Sequence, residues 1–116
     1  MTPPYNFQSA SPDDRLIFGS ERPCYRASQI SLNHALPWLQ FMREEQKIQR
    51  VVCLLDGELT YYQPDLLSYY RMHFGPDNVC HSPVKDNSLI DRMLLVSTIL
   101  PFLEASAARS QRTVVH

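Results

Sequence analysis

Val51-Val52-Cys53-Leu54-Leu55, followed at once by Asp56-Gly57, is the stretch that decides the fold. Five consecutive apolar residues, opened by a β-branched pair and free of polar alternation, suit a parallel strand covered on both faces. Asp-Gly ends the run with turn chemistry. Upstream, Leu32, Leu36, Leu39 and Met42 recur at helical spacing, with Ser31 or Asn33 able to cap the first turn and Pro37 falling within it. Downstream, a second helix is expected from 64 to 74, with Pro64 near its start, Leu66, Leu67 and Tyr70 toward the core, and Gly75-Pro76 as its stop.

Working further outward, Asn78-Val79-Cys80-His81 reads as a short strand, and 82–88 has the composition of a loop. A third, strongly apolar helix begins near Leu89 and carries Ile90, Met93, Leu94, Val96, Ile99 and Leu100; Pro101 predicts a kink or break before Phe102. Thr113-Val114-Val115 reads as a buried strand ending on His116. At the other end, Arg15-Leu16-Ile17-Phe18 reads as a strand broken by Gly19-Ser20, preceded by an irregular arm over residues 1–14. Strands alternating with helices predict one α/β domain over 15–116, with a central, mostly parallel sheet flanked by helices through right-handed crossovers.

Composition narrows the function classes. Eleven basic and twelve acidic residues give a net charge of -1, without the basic excess of a nucleic-acid binder. No apolar run approaches the roughly 20 residues of a membrane helix, and the first residues lack a secretory pattern, so the expected location is cytoplasmic and no membrane partner is expected. Cys24, Cys53 and Cys80 are odd in number and far apart, which suggests reduced thiols rather than a disulfide framework.

Four stretches, taken in order, resemble the front two-thirds of a dual-specificity protein phosphatase, a cysteine-based relative of the protein-tyrosine phosphatases. Phe18-Gly19-Ser20-Glu21-Arg22-Pro23 resembles the family's first strand and Arg-Pro turn, and Val51 to Asp56 a core strand with an acidic loop. Ser82-Pro83-Val84-Lys85-Asp86 resembles the mobile loop that offers a general acid, and Thr113 to His116 the strand that precedes the catalytic cysteine. The resemblance implies an incomplete cysteine-phosphatase fold, with Thr113-Val114-Val115 central in the sheet. It also implies that a Cys-x5-Arg phosphate cradle directly follows such a histidine, and no such loop occurs among these 116 residues.

Open parallel sheets bind ligands beyond the carboxyl ends of their strands, so the loops after Leu55, after His81 and after Val115 form the candidate site. Asp86 is the candidate general acid, since a phosphate ester needs its leaving oxygen protonated and a loop carboxyl supplies that proton. Its competing reading is the cap of the helix expected near Leu89. His116 is the candidate substrate-side residue, positioned to shape a thiolate loop; the competing reading is a frayed strand end. The three cysteines read as structural, and Cys53 as a small buried hydrophobe. No two of His34, His73, His81 and Cys80 have a short zinc-binding spacing, and neither a metal nor another cofactor is expected. Tyr61-Tyr62 and Tyr69-Tyr70 read as partly packed aromatics or modification sites, and Arg22 as an anion contact or a turn anchor.

Three functional readings follow. In the first, the chain is the scaffold of a phosphomonoester hydrolase, inactive without its cysteine loop, whose full form would act on a phosphoprotein or a small phosphate ester. In the second, it is a non-catalytic interaction module, a pseudophosphatase that covers its open sheet with a second copy or a partner protein. In the third, it is an unrelated α/β binding domain, marked by a loop at 82–88 lying away from the sheet's carboxyl edge. Leaving a few hundred Å² of apolar strand surface uncovered would cost several kcal/mol at about 25 cal/mol per Å².

Overall fold

The computed structural model describes residues 3–63, 65–85 and 88–116. Five strands form one sheet: β1 (Gln8–Ser9), β2 (Ile17–Gly19), β3 (Arg50–Cys53), β4 (Val79–His81) and β5 (Thr113–Val115). Their spatial order is β1-β2-β5-β3-β4, so the last strand in sequence is the middle strand of the sheet. All neighbours run parallel except β1, an antiparallel edge on β2. Register is tight through the centre, where Val114 lies between Phe18 and Val51. The chain is therefore an α/β protein with a mostly parallel sheet.

Helices α1 (Leu32–Gln40) and α2 (Leu66–Phe74) share one face of that sheet, where Trp38 of α1 stacks on Tyr70 of α2 with ring centroids 5.7 Å apart. Beneath them the main apolar cluster joins Val51, Cys53, Val114 and Phe18 to Met42, Leu66 and Tyr70. Strand residues alternate between faces, so Arg50 and Val52 look the other way. There the helical segment 92–108 crosses, and Phe102 lies under the Arg50 guanidinium at 3.7 Å. Connection direction explains the division. The β2-to-β3 and β3-to-β4 connections step the same way across the sheet, while β4-to-β5 steps back, and right-handed crossovers then fall on opposite faces.

Local chemistry sets the helix starts. Ser31 and Asp65 accept from the backbone N–H groups of His34 and Leu67, capping α1 and α2. Gly75, at φ 94, ends α2 in a conformation only glycine takes without strain. Pro37 stands at the sixth position of α1 rather than in its first turn, because Ser31 is the cap; wider π-type turns then carry the chain from 41 to 45.

The third helix departs further from expectation. It begins at Arg92, capped by Asp91, with Leu89 outside it. Pro101 does not break it. The helix runs through α3 (Arg92–Leu94), a π segment (Leu95–Ile99) and α4 (Leu100–Ala108), and Leu100 N–H reaches back five residues to Leu95 O. A wide turn just ahead of a proline relieves the crowding that an α turn imposes on the carbonyl four residues earlier. The arm also differs from a wholly irregular segment: Phe7 stacks on Phe18 at 4.9 Å, and the next two residues pair with β2. No helix of the described residues is long and apolar enough to cross a membrane.

Candidate functional site at the carboxyl edge of the sheet

Four parallel strands release their chains at one edge. β2 delivers Ser20, Glu21 and Arg22; β3 delivers Leu54 and Leu55; β4 delivers Ser82; and β5 delivers His116. Pairing continues past the strand ends. Leu54 N–H donates to His116 O at 2.7 Å, His116 N–H to Val52 O at 3.0 Å, and Val84 N–H to Leu54 O at 2.9 Å. The segment 82–84 thus stays at the carboxyl edge beside β3. Asp86, the candidate general acid, lies outside the described residues. The helix expected near Leu89 begins at Arg92, where Asp91 is the cap.

His116 is held rather than frayed. Its Nε2 is 2.8 Å from the Tyr70 hydroxyl, and its ring stands edge-on to Trp38 at 5.3 Å. The residue keeps some exposure, but Nδ1 is sealed from solvent and has no hydrogen-bond partner among the described residues. Burial, reinforced by the neighbouring Arg22 charge, pushes its pKa down to about 3, so the imidazole is neutral. Tyr70 is fully buried, and burial raises its pKa well above the ordinary phenol value. Trp38 completes the anchor by donating from Nε1 to Glu21 O at 3.0 Å. His116 is thereby a fixed post that turns its ring into the protein.

Arg22 is the cation of this edge. One terminal nitrogen donates to the Tyr62 hydroxyl at 2.9 Å, that hydroxyl donates to Pro23 O, and the guanidinium lies 5.3 and 5.8 Å from the rings of Tyr25 and Tyr61. It bonds no backbone carbonyl among the described residues, so the turn is anchored through Tyr62 instead. Tyr62 and Tyr70 are buried in full, while Tyr61 is about half exposed and Tyr69 is partly buried. The tyrosine pairs are therefore split between packing and surface. Helical spacing in the sequence pointed to partial packing, but nothing local said that Trp38, Tyr62 and Tyr70 meet around Arg22 and His116.

None of the three thiols lies open to solvent. All are buried and free, and burial pushes the Cys53 thiol up to about 12, the reverse of what a thiolate needs. Cys80 is buried beside the Ser82 hydroxyl at 3.5 Å. Among the described residues no three His, Cys, Asp or Glu side chains gather as a metal site. A cleft of about 890 Å³ opens between the arm and α1, but Glu44 and Glu45 line it together with Tyr5 and Phe41, a lining of the wrong sign for a phosphate. The edge at Arg22 has the right sign.

The fold is an α/β domain, and the ends of its parallel strands, where such sheets generally bind ligands, carry Arg22 and His116. No family model, no curated protein and no solved structure matches the chain.

Proposed function

We propose that these 116 residues are a cysteine-phosphatase-like scaffold that holds the frame for a phosphate loop without containing the loop, and that they do not hydrolyse phosphomonoesters. The observation that carries the reading is the central position of β5 between β2 and β3, which brings His116 to the carboxyl edge between Arg22 and Leu54. A loop placed there has the guanidinium of Arg22 on one side and the 82–85 segment near the other, an arrangement suited to an anion and a proton donor. The hydrogen bond from Val84 to Leu54 favours this reading over an unrelated binding domain, whose corresponding loop would lie elsewhere. Three separate buried free thiols accord with a reducing, cytoplasmic setting.

Two measurements test it. The chain should give no turnover of an aryl phosphate, and Asp86→Ala should change nothing; turnover that disappears in that variant refutes the proposed inactivity. Sequencing the transcript beyond the His116 codon should read a cysteine next, with an arginine six residues after that cysteine. Any other continuation removes the hydrolase frame and leaves the interaction module, which the exposed apolar side of 92–108 favours.

A further inference from the structure

The outer side of the helical segment 92–108 carries apolar residues where a surface helix is ordinarily polar. Met93 is 72% exposed and Val96 54%, with Leu100 at 39%; Leu89, just before the helix, is 96% exposed. Met93, Val96, Leu100 and Glu104 follow at intervals of three and four, the spacing of one helix side, while Ile99 and Ser106 are buried toward the sheet. A contiguous apolar grouping of this kind is a candidate interface.

We infer that this side binds a second copy of the chain, as an antiparallel pair of 92–108 segments related by a twofold axis at Thr98. Two observations select that occupant. First, the side is self-complementary about its midpoint. Arg92 and Glu104, both exposed, are equidistant from Thr98, as are Val96 and Leu100. An antiparallel pair therefore sets Arg92 against Glu104 of the second copy and Val96 against Leu100, each contact occurring twice, as an isologous interface requires. A parallel pair would oppose Arg92 to Arg92. Second, each charge stands at the wrong end of its own helix. Arg92 lies in the first turn, where the helix dipole disfavours a cation, and Glu104 lies toward the carboxyl end, where it disfavours an anion. Antiparallel pairing brings each beside the helix end of the second copy that favours it.

The expected dimer is weak. An apolar patch on one helix is of the order of 300–600 Å², below the roughly 800 Å² per partner of a standard interface. The net charge of -1 adds little repulsion between copies. This inference rests on the helix side alone and is independent of the phosphatase-like reading.

Sedimentation velocity of the 116-residue chain from about 5 to about 500 μM tests it, a range that brackets a weak dissociation constant. The mass should move from 13.4 kDa toward twice that value as concentration rises. Val96→Asp should keep the chain monomeric throughout, with its circular dichroism unchanged because Val96 is half exposed. Arg92→Glu and Glu104→Arg should each weaken association several-fold, and the double exchange should restore it. A monomer at every concentration, the result expected if a different protein or further chain covers this side, overturns the inference. So does a Val96→Asp chain that still associates, or a double exchange no better than the single changes.

Discussion

Acidification should destabilise this domain through one residue, His116. Its imidazole is neutral in the folded chain, with a pKa near 3 against 6.5 for the free side chain, first because burial strips its hydration and second because Arg22 is close. A depressed folded-state value means that the unfolded chain takes up the proton first as pH falls. Stability is then complete above pH 6.5 and declines below it, until the folded form also protonates near pH 3. At about pH 5 the gap corresponds to at most roughly 2 kcal/mol, since each unit is about 1.4 kcal/mol. That is a large share of the net stability of a small domain, about 5–15 kcal/mol. Urea titrations of the wild type and His116→Gln at about pH 7.5 and pH 5 provide the assay, with the slope of the transition used to convert midpoints to free energies. Gln cannot titrate, so the wild type should lose at least about 1 kcal/mol more than the variant between the two pH values. Equal losses would refute the account of a sealed, neutral imidazole at the carboxyl edge.

Other outcomes follow from the same packing. Tyr70→Phe removes the hydroxyl beside His116 Nε2 in a fully buried setting and should cost about 1–3 kcal/mol, read as a lower urea midpoint. Tyr62→Phe breaks the link from Arg22 to Pro23 O and should cost a similar amount by the same titration. Arg50→Met should be neutral or stabilising by about 1 kcal/mol, because Nε and one terminal nitrogen of that buried guanidinium lack partners among the described residues and the thioether chain still covers Phe102. A loss above about 2 kcal/mol would show that the cation is satisfied after all. Iodoacetamide should leave Cys24, Cys53 and Cys80 unmodified in the native chain and alkylate all three in urea, followed by mass spectrometry.

Much of the architecture was legible in the sequence because its signals are local. The apolar run at 51–55 marked a strand that spans Arg50–Cys53 and is buried throughout, and Ser31, the Gly75-Pro76 stop and the helical spacing of Leu66 and Tyr70 bounded the helices to within a few residues. The errors have local causes of a subtler kind. Pro101 predicted a kink or a break, and the helix runs on without a break through one wide turn at 95–99; the apolar residues from 89 onward look like a helix although the chain turns helical only at Arg92. Two residues of the arm pair with β2, too short a strand for any pattern to reveal.

The sequence by itself determined most of the strands and helices, the lack of a Cys-x5-Arg loop among these 116 residues and the near-neutral charge, since these depend only on residue type and spacing. The resemblance implied a central last strand, but tertiary structure alone decided that its neighbours are β2 and β3, and that His116, Tyr70 and Trp38 meet beside Arg22. It also decided that Arg50 is buried against Phe102 while Met93 and Val96 face outward. The physical reason is that a parallel ladder takes its partners from distant parts of the chain. Burial, hydration and the charge state of a side chain are then set by neighbours that its own sequence context does not contain.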